Sequence, residues 1–356
     1  MAVVGFVAVL AGLPSTPALA HPPGIQAATD YRVTVRGLEP MVDGVSVRFV
    51  ADGSRLELRS VSAATVEVVG YEGEPMLRVS PQGAWRNTRA PSLYVDQPGG
   101  AARAGASAGA QPQWQPASER AVVRWQDHRS LWHGNPPPPV AADPGRVHRV
   151  MDWKVPIRIG TEEAKIIGFV EWVPRPSPSL WWLAVLVLAG ALAAAGAAAR
   201  SRPAAGRLVL AAVGPVVGVA AIWYQVLVVV DNAEPGAGAL ASALAARAAP
   251  LLLGLALVAG GVLVSVGRDL GSFLLAVGGP LTAFVAGLEN VALLSHPVAP
   301  VAADPLFARL AEAVVLGGGA GLLAFVLTRS RRPVAAVQQP DAPSPVGNNS
   351  EGPDAA

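Results

Sequence analysis

The chain has 356 residues, 52% of them hydrophobic and only 15% charged, with a mean hydropathy of +0.41. That composition is too apolar for a soluble protein and indicates a membrane protein in contact with a lipid bilayer. Lys and Arg total 27 against 25 Asp and Glu, a net charge of +2, which argues against a nucleic acid partner. The lack of Cys excludes disulfides, thiolate zinc sites, iron–sulfur clusters and a cysteine nucleophile.

In chain order, Val3 to Leu13 is an apolar run followed by Ala18-Leu19-Ala20, the small-residue pattern of a signal-peptidase site. Residues 1–20 therefore read as a signal peptide, although no Lys or Arg precedes the run. Cleavage would make His21 the first residue.

Residues 21–178 alternate with a period of two in Tyr31–Arg36, Val45–Val50, Arg55–Arg59, Thr65–Val69 and Met76–Val79. Turn signals separate them at Asp52-Gly53, Gly73-Glu74-Pro75 and Pro81-Gln82-Gly83. Arg120–Trp125, Val147–Ile159 and Lys165–Val173 read as further strands. The expectation is an exported all-β domain, an antiparallel sandwich of about 150 residues with immunoglobulin-like architecture, in one or two subdomains. Within it, the Ala/Gly-rich stretch at about 99–118 reads as a flexible insertion, and Asn135–Pro139 as a polyproline spacer.

Past residue 178 the composition changes, and five stretches are long and apolar enough to cross a bilayer: 180–199, 208–230, 248–266, 272–293 and 307–328. With the β-domain exported, Arg200, Arg202, Arg207, Arg268, Arg329, Arg331 and Arg332 fall on the cytoplasmic side, and only Arg247 and Arg309 face out. This satisfies the positive-inside rule and sends residues 331–356 into the cytoplasm as a disordered tail. The membrane expected is the plasma membrane.

The densest polar group is Trp125-Gln126-Asp127-His128-Arg129-Ser130-Leu131-Trp132-His133. Imidazole and carboxylate together suit a borderline divalent ion, and a mature N-terminal His offers its amine and ring nitrogen to copper(II). His21, Asp127, His128 and His133 are therefore candidate metal ligands. The alternative is a hydrogen-bonded packing element in which Asp127 pairs with Arg129 or fixes a His tautomer. Tyr71–Arg78 reads as a hairpin turn held by Arg–carboxylate contacts. Inside the spans, Glu289 and Asn290 are costly in hydrocarbon and are expected to face the bundle interior. His296, seven residues on, would share a helical face with Glu289 and form a relay, or sit at the interface before Pro297. Tyr224, Gln225 and Asp231 would complete a polar cluster or form an interfacial belt.

Two motifs, Gly70-Tyr71-Glu72-Gly73-Glu74-Pro75-Met76-Leu77-Arg78 and Trp125-Gln126-Asp127-His128-Arg129-Ser130-Leu131-Trp132, resemble the marks of a family of uncharacterised actinobacterial exported membrane proteins. That resemblance implies a topology and no activity. In plan the chain is also similar to CopC/CopD-type copper-resistance proteins, with His21 in place of their N-terminal His ligand. Their D-x-H pair is not reproduced, because Asp127 and His128 are adjacent. The resemblance implies copper by analogy.

The expected function is a non-enzymatic extracytoplasmic binding protein, with copper(II) as leading ligand. The alternative is an envelope interaction or scaffolding protein without metal, whose partner is another envelope or membrane protein. A copper oxidative enzyme is disfavoured, and no G-x-S-x-G or paired-carboxylate pattern in the exported half supports a hydrolase.

Overall fold

The computed structural model describes residues 28–50, 55–95, 105–234 and 236–330. The signal segment 1–20, His21, the Asp52-Gly53 turn and the tail 331–356 lie outside the described residues.

The N-terminal part is an antiparallel β-domain of ten strands. These are β1 (Tyr31–Glu39), β2 (Val45–Val50), β3 (Arg55–Ser60), β4 (Val66–Val69), β5 (Pro75–Ser80), β6 (Gly83–Asn87), β7 (Trp114–Ser118), β8 (Val122–Trp125), β9 (His148–Ile159) and β10 (Glu162–Trp172). Seven form one sheet in the order β1-β10-β9-β4-β5-β6-β7, and three form a second in the order β2-β3-β8. Alternation explains the core. Leu56 and Leu58 of β3 and Val123 and Trp125 of β8 turn inward to meet Val66, Val68, Leu77, Val79, Val155, Ile157 and Ile166 of the larger sheet. The long β9–β10 hairpin turns at Gly160, whose φ of +59° suits a residue without Cβ.

Strands β6 and β7 were not expected. Gly83-Ala-Trp-Arg-Asn87 does not alternate, and β7 occupies the end of the segment read as a flexible insertion. There Pro116 sits opposite Trp85 in an edge strand, where a missing N–H is tolerated.

Helices follow from residue 178: α1 (Pro178–Ala198), α2 (Pro203–Asn232), α3 (Ala237–Ala246), α4 (Ala248–Ser265), α5 (Asp269–Leu294) and α6 (Pro305–Ser330). All but α3 are long and apolar enough to cross a membrane, so the chain is a multi-pass membrane protein. Their outer surfaces carry exposed Leu, Val and Phe such as Leu186, Leu255, Phe273 and Phe284, as lipid-facing helices should. Small residues bring the spans together. A Cβ on Gly218 of α2 would stand 2.5 Å from the Gly254 carbonyl of α4, and one on Gly319 of α6 would stand 2.5 Å from the Gly279 carbonyl of α5. Helix α5 is irregular: its long α-helical part ends at Thr282, a π turn covers Ala283–Gly287, α-helix resumes at Leu288–Asn290, and a 3-10 turn closes it at Val291–Leu294.

A bulky side chain at the α5–α6 crossing should separate the two spans. Gly319→Leu is expected to lower stability by about 1–3 kcal/mol, read as a lower melting temperature of the full chain in detergent.

Candidate functional site

The two sequence motifs of the β-domain meet in space and hold each other. The Asp127 side chain caps a 3-10 turn, His128–Ser130, by accepting from the Arg129 backbone N–H at 3.1 Å. It also accepts from the Arg129 guanidinium at 2.8 and 2.9 Å and from the Trp125 indole at 3.0 Å. Arg129 then donates to the Val69 carbonyl at 3.0 Å and lies over the Tyr71 ring, 4.7 Å from its centroid. The Tyr71 hydroxyl accepts from the His128 backbone N–H at 2.8 Å. On the turn itself, buried Glu74 accepts from the Ser92 hydroxyl at 2.5 Å and from the Ser92 and Glu72 N–H groups. The Arg–carboxylate contact expected of that hairpin forms across its strands, where Arg78 of β5 donates to Glu67 of β4 at 2.8 and 3.0 Å.

This geometry bears on the metal expectation. Both Asp127 oxygens are engaged by Arg129 and Trp125, and the residue is buried. The rings of His128 and His133 are stacked, 3.6 Å between centroids and 9° between planes. A metal–imidazole bond of about 2.0 Å lies in the ring plane, so one ion cannot lie in both planes of this stack. Asp127, His128 and His133 therefore do not fit a shared copper site as arranged, and no group of three or more potential ligands is found among the described residues.

A second set of polar residues fastens the β-domain to the bundle. Alternation that sends Leu56 and Leu58 into the core turns Arg55 and Glu57 the other way. Arg48, Glu57 and Arg124 face one another across β2, β3 and β8, and Glu57 accepts from Arg48 at 2.9 Å and Arg124 at 2.7 Å. Arg124 continues to the Ala233 carbonyl at the end of α2, and Arg55 pairs with Glu234. Just before β1 of the larger sheet, Asp30 takes Arg175 at 2.6 Å and His296 Nδ1 at 2.8 Å. Thr29 and Val298 exchange two backbone hydrogen bonds of 3.1 Å beside it. Asp231 accepts from the Ala302 N–H at 2.6 Å, so it serves the same junction.

The third set lies inside the bundle near this junction. Arg247, at the α3–α4 corner, donates to Glu289 at 2.5 Å and to Gln225 of α2 at 3.4 Å. Tyr224 and Glu312 are close enough to feel the charge of Glu289. Both are buried, and neither the Tyr224 hydroxyl nor Glu312 Oε1 has a hydrogen-bond partner among the described residues. Asn290 donates to the Ala286 carbonyl one turn back, so it satisfies the π turn and is not part of the ion pair. The expected pairing of Glu289 with His296 does not form. The 3-10 turn at Val291–Leu294 breaks the helical register between them, and His296 leaves the bundle to meet Asp30. Arg309, the other arginine at this end, donates to the carbonyls of Leu293, His296 and Pro297 and satisfies the chain where α5 ends.

Compared with protein-family models, curated proteins and solved structures, the chain matches none.

Breaking the buried pair from one side leaves Arg247 uncompensated, so Glu289→Gln should cost about 3–5 kcal/mol, while replacing both partners by Leu should restore much of the loss in detergent unfolding. For Glu57, burial works to raise the carboxyl, but its bonds to Arg48 and Arg124 outweigh it and hold it below the usual carboxylate range. Its contribution to stability is complete above the ordinary carboxylate pKa and disappears as pH falls through the depressed folded value. Glu57→Gln should flatten that part of the acid unfolding curve followed by Trp fluorescence.

Proposed function

We propose that the protein is a non-catalytic envelope protein of the plasma membrane that holds an extracytoplasmic β-domain in a fixed pose on a five-span bundle, as an interaction platform. The observation that carries this is the fastening from both sheets: Arg55 and Arg124 of the small sheet to the end of α2, and Asp30, just before β1 of the large sheet, to His296 beside the Thr29–Val298 bridge. A domain that worked as a tethered ligand carrier would need little of this, whereas a platform for a second envelope or membrane protein needs a defined orientation. The orientation is supported by charge. Arg200, Arg202, Arg207, Arg268 and Arg329 gather at the ends of the spans assigned to the cytoplasm. The two arginines at the β-domain end, Arg247 and Arg309, are both consumed in internal contacts. The copper(II) expectation, in which His21 joins His128 or His133, plays no part in this reading.

The chain lacks Cys, so single Cys residues can be introduced cleanly. Nitroxide labels at Val61→Cys and Leu240→Cys in lipid nanodiscs should give one narrow distance distribution, broadened when Arg55 and Arg124 are both changed to Ala. Val61→Cys should also react with a membrane-impermeant maleimide on intact cells. A broad distribution in the otherwise unchanged chain, or protection of that Cys, would refute the reading.

A further inference from the structure

We propose that Glu312 is a proton-binding carboxyl inside the bundle, reached from the β-domain end of the spans by way of Glu289 and Tyr224. Glu312 lies on the second turn of α6 and is 4% exposed, and its Oε1 meets no hydrogen-bond partner among the described residues. The Tyr224 hydroxyl is buried and equally without a partner. Unpartnered polar atoms out of water are expensive, and an uncompensated carboxylate there is far more so. Two carboxyls and one guanidinium share this space, and the guanidinium is committed. Arg247 points its Nη1 at Glu289, 2.5 Å away, and its other contact there is to Gln225. Among the described residues Glu312 is thus left without a counter-charge, and a bound proton supplies the missing neutralisation.

The surrounding groups define the route. From α2 the site is faced by Tyr224, from the α3–α4 corner by Arg247, and from the segment after the π turn by Glu289. Helix α1, Pro178–Ala198, carries no titratable residue. On α6 itself Arg309 is turned to the carbonyls of Leu293, His296 and Pro297. The Glu289 side chain is 19% exposed, so a proton can enter there. On the far side of Glu312 the packing is close: Gly317 meets the Val185 carbonyl of α1 and Gly319 the Gly279 carbonyl of α5. The site is therefore open toward the β-domain and sealed toward the opposite end. The π turn of α5, a geometry found most often at functional sites, is what sets Glu289 at the mouth.

The test is modification of the full chain in lipid nanodiscs by dicyclohexylcarbodiimide, which adds to protonated carboxyls in apolar surroundings, followed by peptide mass spectrometry. Glu312 should be modified, with modification lost as pH rises, and Glu312→Gln should abolish the adduct. Infrared spectroscopy should show the carbonyl band of a neutral acid in the unchanged chain, shifted in D2O and missing in Glu312→Gln. No adduct at any pH in the folded chain would overturn the proposal, and so would protection by sodium at constant pH, which would assign a metal cation to the carboxyl instead. Because the adduct is read on the unchanged chain, failure of Glu312→Gln to fold would not remove the test.

Discussion

Hydrocarbon cannot solvate a charge, and the arrangement of this protein at the junction of its two parts follows from that restriction. A side chain that enters the helical bundle near the β-domain as an ion must find a compensating group there. Arg247 meets Glu289, and Arg309 takes the carbonyls left free where α5 unwinds. A guanidinium suits both tasks because it presents several donors in one plane. The bundle can therefore carry a polar end, and that polar end is the surface on which the β-domain is seated.

The same use of arginine recurs in the β-domain. Glu57 lies between Arg48 and Arg124 in the small sheet, and Glu67 lies between Arg78 and Arg158 in the large one, each carboxylate opposite two arginines on neighbouring strands. The Glu67 ladder is closed within the domain. The Glu57 ladder is open at one end, since Arg124 reaches beyond it to the backbone of α2. One register thus serves as sheet cross-bracing in one place and as an attachment in the other.

The ten-strand domain and the five spans were largely legible in the sequence, because period-two alternation and unbroken apolar runs are local properties. Strands β6 and β7 were not, since Gly83–Asn87 lacks alternation and Pro116 argues against a strand until its edge position is known. Glu289, Tyr224 and Gln225 could be picked out as polar residues in apolar surroundings. Their partners Arg247 and Glu312 were passed over because each stands near a helix end, where a charge needs no special reason. The fact that Arg247 runs against the positive-inside pattern was the available signal. The Glu289–His296 spacing misled because it assumes a regular helix, and nothing in Val291–Leu294 announces a 3-10 turn. Asp127, His128 and His133 have the composition of a metal site, but their geometry is decided by Arg129 and Trp125, which composition does not reveal.

The bridge from Thr29 and Asp30 to Val298 and His296 joins residues at opposite ends of the folded chain, 266 positions apart in the case of Asp30 and His296. A ribosome delivers the β-strands long before it delivers that loop. The β-domain can therefore fold early, but its second fastening has no partner until the fourth span has been threaded and the following loop released. A chain arrested before that point would carry a folded domain held through the small sheet only. The closed bridge thus records that synthesis has passed the fourth span.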